Sequence, residues 1–458
     1  MSTSNSNIPA LPQSDLLYLN GPFAPIREEV TAFDLSVTGT IPQGLNGRLL
    51  RVGSNPYTID DVDKYHWFAG TGMVHGIRLS EGRAAWYRNR YLIDDQVAAL
   101  RARQPVPGAR TAHYGQAWLD HNLNNTSAIS LAGKVLAISE GGVIPIVLDD
   151  EELSTVGTES FNGTFPGAFT GHPHVDPDTG EMHAIGYYWE WDHVKYMTLD
   201  VEGKVRRVVD VPAPNRPIVH DFVMTKRFAI ILDSPLVYDA EQARLGFYGA
   251  KWRDDLPAEF VLIPREGYSG DIQRIAIPPQ TVMHYVNAYD LPDGRIVVDG
   301  VSNDRIMKQD PHGPLEGKLT MNRFTIDPNN GSVEVRVVSD LPQELPRIDD
   351  RKFSKQHRFS YSWGIGQESS IIKIDYEMDK VEQYRLEPGT YPSEPIFYPA
   401  SPDAAEDEGW ILSYIGDLRS NTSELAIFDA RNLLDGPVAR IQIPQRVPVT
   451  FHGNFFPD

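Results

Sequence analysis

Short stretches of alternating apolar and polar residues run through most of the chain. Arg83-Ala84-Ala85-Trp86-Tyr87, Lys134-Val135-Leu136-Ala137-Ile138 and Glu181-Met182-His183-Ala184-Ile185 are examples. A period of two sends successive side chains to opposite faces of a strand. Each stretch follows a turn signal: Glu81-Gly82, Ala132-Gly133 and Asp178-Thr179-Gly180. The same device returns at Glu202-Gly203, Asp293-Gly294 and Asn330-Gly331. Glycine between two alternating runs predicts a hairpin, because the tight turn needs positive φ. Helical periodicity is scarce. Val97, Leu100 and neighbouring alanines predict one short amphipathic helix over 94–103, and Asp429 is placed to cap a second over 429–434. Many short strands cut by 37 glycines and 35 prolines point to a large all-β fold, a sandwich, a barrel or a propeller. No linker interrupts the pattern. It favours one irregular propeller domain over 16–458, after a disordered polar segment over 1–15.

Composition narrows the function classes. Hydrophobic residues make up 41% and charged residues 23%, enough for a large core in a globular protein. The net charge of −20 excludes a phosphate-binding surface of the nucleic-acid kind and disfavours electrostatic docking to anionic lipid. There is no cysteine, so a metal here must be held by nitrogen and oxygen. No apolar run approaches the roughly 20 residues of a bilayer span. The start, Met1-Ser2-Thr3-Ser4-Asn5-Ser6-Asn7, lacks the basic and apolar regions of a secretory signal. The expected location is cytoplasmic.

The last eight residues, Phe451-His452-Gly453-Asn454-Phe455-Phe456-Pro457-Asp458, are apolar where chain ends are usually loose and polar. They contain one of 13 histidines. Three others stand in similarly rich contexts: His172 in Gly171-His172-Pro173-His174, His220 in Val219-His220-Asp221-Phe222, and His284 in Met283-His284-Tyr285. Successive separations are 48, 64 and 168 residues. In a propeller the inner strands converge on one axis, so distant histidines can meet there. The plainer reading is four separate core or turn histidines, each satisfied by a backbone carbonyl. On the residues alone both readings stand.

The motifs in order resemble the carotenoid cleavage oxygenases, non-haem iron enzymes that include stilbene-cleaving members. The resemblance runs from Pro42-Gln43-Gly44-Leu45-Asn46-Gly47 through Tyr65-His66-Trp67-Phe68 and Gly72-Met73-Val74-His75-Gly76 to the terminal Phe451-His452-Gly453. It implies a single seven-bladed β-propeller with a cap of loops and short helices over an iron site. It implies Fe(II) held by His172, His220, His284 and His452, with His174 as the alternate to His172. It implies that Glu140, Glu344 and Glu394 accept hydrogen bonds from the ligand imidazoles, which fixes their tautomer and orientation. Phe68, Tyr114, Ser139, Phe222 and Phe451 are the expected substrate contacts. Trp67, Tyr285 and Phe455 are further aromatic candidates for an apolar tunnel.

The implied reaction is cleavage of a conjugated C=C bond by O2 into two carbonyl products. Trp86-Tyr87-Arg88-Asn89-Arg90 and Pro444-Gln445-Arg446-Val447-Pro448 resemble the bacterial branch acting on carotenoids or apocarotenoids. Stilbenoid cleavage is the second reading. Ser139 stands where the stilbene cleavers carry a lysine that binds a phenol. Ala69 and Thr71 also stand where the family commonly has aspartates. The expected partners are an apolar conjugated small molecule and O2, with hydrophobic, peripheral contact to a membrane at the tunnel mouth. A propeller hydrolase would want acidic and amide ligands around calcium. A non-catalytic propeller scaffold has no use for four such histidines.

Overall fold

Thirty-three strands, mostly antiparallel neighbours in sequence, form the described part of the chain, which comprises residues 8–108, 123–266, 269–366 and 368–458 of a computed structural model. Seven sheets of four to six strands radiate as blades, and a two-stranded ribbon of Leu236–Tyr238 and Ala250–Trp252 is inserted between two adjacent strands of one of them, Phe228–Asp233 and Ala258–Pro264. The hairpins sit where the glycines predict them. Glu81 and Gly82 have φ of 52° and 72°, and Ala132 and Gly133 have φ of 50° and 72°. Two consecutive left-handed residues twist a two-residue loop to match its strands.

Both chain ends close the ring. The first blade runs Thr31–Phe33, Arg83–Tyr91, Gly72–Ser80 and Gly47–Ser54, and its innermost strand is Gly453–Pro457 from the C-terminus. Gly47 pairs with Pro457 and Arg51 with Gly453. Reciprocally, Val37–Gly39 adds an outer strand to Pro437–Ile443 of the last blade. The apolar terminus is thus an interior strand. Phe455 and Phe456 are 8% and 7% exposed, and burying each stabilises by about 2 kcal/mol.

The helix expected over 94–103 is Asp95–Leu100, with the Asp94 carboxylate accepting from Val97 N–H at its N-terminus. The helix expected over 429–434 does not form. Asp429 ends the strand Thr422–Asp429, and its carboxylate accepts from Arg431 N–H in a turn before the 3-10 turn Leu433–Asp435. A capping aspartate stabilises a turn as readily as a helix. Residues 8–15 make contacts with the body of the fold: Ile8 packs against the cluster that contains Tyr57 and Tyr91, and Arg27 donates to the Pro9 carbonyl. No described helix is long and apolar enough to cross a membrane.

Segments before the first blade strand and between later ones build a cap. Short 3-10 turns at Leu17–Leu19, Gly21–Phe23 and Trp67–Ala69 bring Tyr18, Phe23 and Trp67 into one aromatic cluster with Phe451. Tyr18 stacks on Trp67 at 5.6 Å, and Trp67 meets Phe451 at 4.5 Å. The cap is therefore fastened to the residue beside His452.

Candidate metal centre

Each of the four histidines enters from, or just before, the innermost strand of a different blade. His172 precedes His174–Val175, His220 precedes Val223–Met224, His284 lies within Thr281–Asp290, and His452 precedes Gly453–Pro457. Around His284 the pairing register slips between Val282 and His284 and again between Tyr285 and Asn287. Such bulges re-aim a side chain without ending the strand. The His452 backbone is clamped between two blades: its N–H donates to the Thr126 carbonyl and its carbonyl accepts from Val52 N–H.

The four Nε2 atoms converge. His172 and His220 are 3.0 Å apart, His220 and His284 3.2 Å, and His284 and His452 3.1 Å, and one nitrogen from each lies within 4.8 Å of all the others. His172 and His284 are partly exposed, and His220 and His452 are buried. Three of the rings turn their Nδ1 toward a carboxylate. His220 Nδ1 is 3.1 Å from both Glu140 oxygens, His284 Nδ1 2.7 Å from Glu344 and His452 Nδ1 2.8 Å from Glu394. A carboxylate only accepts, so those Nδ1 atoms carry the proton, and in the neutral ring each Nε2 presents a lone pair, although Glu344 raises His284 against the desolvation that opposes its charge. Lone pairs facing each other at about 3 Å repel. A cation between them removes the conflict, and nitrogens at right angles around one ion with bonds of about 2.1 Å stand about 3 Å apart. Imidazole nitrogen suits iron, copper, nickel and zinc and excludes calcium. The donor set fits one such ion held by His172, His220, His284 and His452.

Burial holds the imidazoles neutral where it prevails. His172 is far below the usual histidine range, through desolvation first and then the neighbouring His452, His220 and His284. Desolvation also dominates at His452, which lies at about 4 despite Glu394. The three glutamates are supported differently. Glu140 sits two residues past the strand Lys134–Ile138, before Gly141, whose φ of 82° turns the chain back. Burial works to raise its carboxyl, but His220 and the Tyr187 hydroxyl, which donates to it, outweigh burial and hold it below the usual range. Glu344 lies in the inner strand Gln343–Arg347, before Leu345 with φ of 55°, and also accepts from Leu345 N–H. Glu394 occupies the break between Thr390–Pro392 and Ile396–Pro399. Burial opposes its charge, yet His452, Arg347 and Arg51 hold it at about 2.

Two cavities reach the histidines. One, of about 570 Å³, is lined by Trp67, Phe68, Trp189, Tyr248, Trp363 and Phe451 among others, and touches His220, His284 and His452. The other, of about 640 Å³ and more polar, reaches His172, His284 and His452 from the side of His174 and Asp221.

Of the expected substrate contacts, Phe68, Ser139 and Phe451 line the apolar cavity. The Phe68 ring lies parallel to His220, 5.9 Å away. The Ser139 hydroxyl is 2.9 Å from Thr126 Oγ1 and also donates to Asn125. Phe222 does not line it. Phe222 is fully buried in the core, edge-on to His174. Tyr114 lies outside the described residues. Trp67 lines the apolar cavity, whereas Tyr285 and Phe455 face the polar one. His174 is turned away from the four ligands, with its Nε2 2.8 Å from the Phe222 carbonyl. Arg51, Arg347 and Tyr187, which act behind the glutamates, were absent from the sequence expectation. For Tyr187, the aromatic run Tyr187-Tyr188-Trp189 at a strand end was the available signal.

The chain matches the retinal pigment epithelial membrane protein family over residues 23–457. It is 34% identical to a carotenoid cleavage oxygenase of Mycobacterium tuberculosis, over 96% of this chain and 97% of that one. It is 28% identical to an apocarotenoid-15,15'-oxygenase of Synechocystis, over 92% of each. The crystal structure of a lignostilbene dioxygenase from Pseudomonas brassicacearum superimposes with a TM-score of 0.88 at 28% identity, over 98% of this chain and all of that one.

Proposed function

This chain belongs to the retinal pigment epithelial membrane protein family, which includes the carotenoid cleavage oxygenases, and on that premise we propose that it uses Fe(II) and O2 to cleave one conjugated C=C bond of a carotenoid or apocarotenoid. One C=C bond and one O2 are consumed, and two carbonyl products form. The observation that carries the reading is a cluster of four convergent imidazole nitrogens, three of which, on His220, His284 and His452, belong to residues lining an apolar, aromatic cavity of about 570 Å³. His172, His220, His284 and His452 would hold the iron. When bound, Fe(II) supplies the redox partner that ground-state O2 needs to react with a closed-shell alkene.

The chain's own residues do the rest. Phe68, parallel to His220, and Phe451, edge-on to Phe68 at 5.4 Å, flank the place where a polyene meets the centre. Flat aromatic walls hold a conjugated chain by area, leaving one double bond beside the reacting oxygen. Their apolar surface excludes water from the site. Glu140, Glu344 and Glu394 keep protons on Nδ1, so the Nε2 lone pairs stay available.

Stilbenoid cleavage is the second reading, favoured by the likeness to the lignostilbene dioxygenase. Against it, Ser139 occupies the position of the phenol-binding lysine, and its hydroxyl is already engaged by Thr126 and Asn125. A hydrophobic substrate also supports peripheral contact with a membrane at the cavity mouth. Incubating iron-loaded protein under air with β-carotene, an apocarotenal, resveratrol and isoeugenol decides between the readings. Aldehydes from the polyenes and none from the phenols are expected. Cleavage of resveratrol alone would overturn the order, and no cleavage at full iron loading would remove both.

A further inference from the structure

Asp221 follows His220, His174 lies two residues past His172, and Tyr285 follows His284. These three neighbours of three ligands meet at one carboxylate. Asp221 is 5% exposed. Its Oδ2 accepts from Tyr285 N–H at 3.0 Å, and its Oδ1 accepts from Phe222 N–H at 2.7 Å and lies 3.2 Å from His174 Nε2. That Nε2 is also 2.8 Å from the Phe222 carbonyl, and a carbonyl only accepts, so His174 Nε2 carries the proton and donates. Phe353 stacks on the His174 ring at 4.3 Å, which fixes the ring plane.

We propose that Asp221 and His174 form a clasp that sets the spacing of three ligand-bearing segments, from three blades, around the metal. The proposal rests on the metal-centre reading above. Glutamates behind Nδ1 fix how a ring is rotated. They do not fix how far apart the backbones stand. The strand Thr281–Asp290 lies at the inner edge of its sheet, so backbone groups on its axial side have no ladder partner. The Asp221 carboxylate satisfies one of them, at Tyr285, and so joins that edge to the segment carrying His220. Through His174 it joins the segment carrying His172. His452 stands outside the clasp and is held by the Thr126 carbonyl and Glu394. Asp221 and His174 are thus positioning residues, and the Gly171-His172-Pro173-His174 motif combines a ligand with the strut that places it.

The test uses cobalt(II) on the full-length protein and needs no substrate. Cobalt affinity is measured by chelator competition, ligand geometry by the visible cobalt spectrum, and stability by thermal unfolding. Asp221→Asn and Asp221→Ala are expected to weaken cobalt by 10- to 100-fold and to alter its spectrum. His174→Phe should weaken it in the same sense, and His174→Gln, whose amide can donate to the same oxygens, should recover most of the loss. Asp299→Asn is the control, since it breaks a buried pair with Arg323 in the blade containing His284. It should lower the melting temperature and leave cobalt affinity unchanged. Folded Asp221→Asn with the unmodified protein's affinity and spectrum overturns the clasp, and so does an equal loss in Asp299→Asn. Should the Asp221 variants not fold, equal cobalt affinity in His174→Phe and His174→Gln overturns it. An unmodified protein that binds no cobalt would instead refute the metal centre, whereas failure to cleave polyenes touches only the substrate.

Discussion

The Nδ1 of His452 stands 2.8 Å from Oε1 of Glu394, and this contact helps join the end of the chain to the last blade. The Arg51 guanidinium, fully buried, lies against the other Glu394 oxygen at 3.3 Å and also donates to the Phe451 carbonyl. The candidate metal centre and the ring closure therefore share the same few residues.

Shortening the chain should separate these two roles. Removing residues 452–458 deletes a ligand and an interior strand, so loss of stoichiometric iron and a large fall in melting temperature are expected. His452→Ala alone should lose iron while keeping most of the fold. Iron analysis and thermal unfolding of both proteins check this, and stoichiometric iron in the truncated protein would refute the terminal ligand.

The three glutamates should not respond alike. Glu140→Gln and Glu344→Gln are expected to loosen iron by roughly 10- to 100-fold with small effects on stability. Glu394→Gln leaves Arg51 and part of Arg347 without their counter-charge in the interior, and removing one partner of a buried pair costs about 3–5 kcal/mol. Denaturant unfolding of the metal-free proteins should show this contrast. Equal stability in all three would count against it.

Acid should destabilise the metal-free protein well above the carboxylate range. Burial lowers His66, His75 and His183 to about 3 and His357 to about 4. The unfolded chain takes up protons at these positions below about pH 6.5 while the fold does not. Their stability is complete above pH 6.5 and is lost as pH falls toward those values, by up to about 1.4 kcal/mol per pH unit for each. Unfolding free energies at pH 7, 6 and 5 should fall steeply, and a flat profile would contradict the assignment.

Asp94 works with the opposite sign. Burial raises it to about 6, against hydrogen bonds from the helix start. A raised carboxyl lends stability below its unfolded pKa of about 4 that is lost as pH rises through 6. Asp94→Asn keeps a capping side chain, so a gain of about 2 kcal/mol at pH 7 and almost none at pH 4 is expected. A loss at pH 7 would show that the cap needs the charge.

Phe68 should affect turnover without affecting metal. Phe68→Ala opens the wall beside His220, and misplacing a reacting bond by about 1 Å costs as much as 100-fold in rate. Product formation and iron content measured together check this. Reduced iron would make Phe68 part of the metal's support instead.

The hairpins were legible because their cause is local. Glu81-Gly82 and Ala132-Gly133 adopt left-handed φ whatever lies far away, and the period of two follows from strand geometry. The candidate ligands were legible through the ordered motifs, since His172, His220, His284 and His452 each sit in a distinctive context, and the structure brings their ring nitrogens together. Other features had no such mark. Asp429 could cap a helix or a turn, and the strand it ends chose the turn. Phe222 stands two residues from His220 and yet packs into the core, edge-on to His174.

By itself the sequence determined which residues are strands, where they turn, and which four imidazoles could share a metal. Only the tertiary structure decided that their Nε2 atoms meet at about 3 Å, that Arg51 rests against Glu394, and that Asp221 joins His174 to Tyr285. Those relationships span tens to hundreds of residues. They arise from the packing of whole blades around an axis, and no local preference of the backbone encodes that.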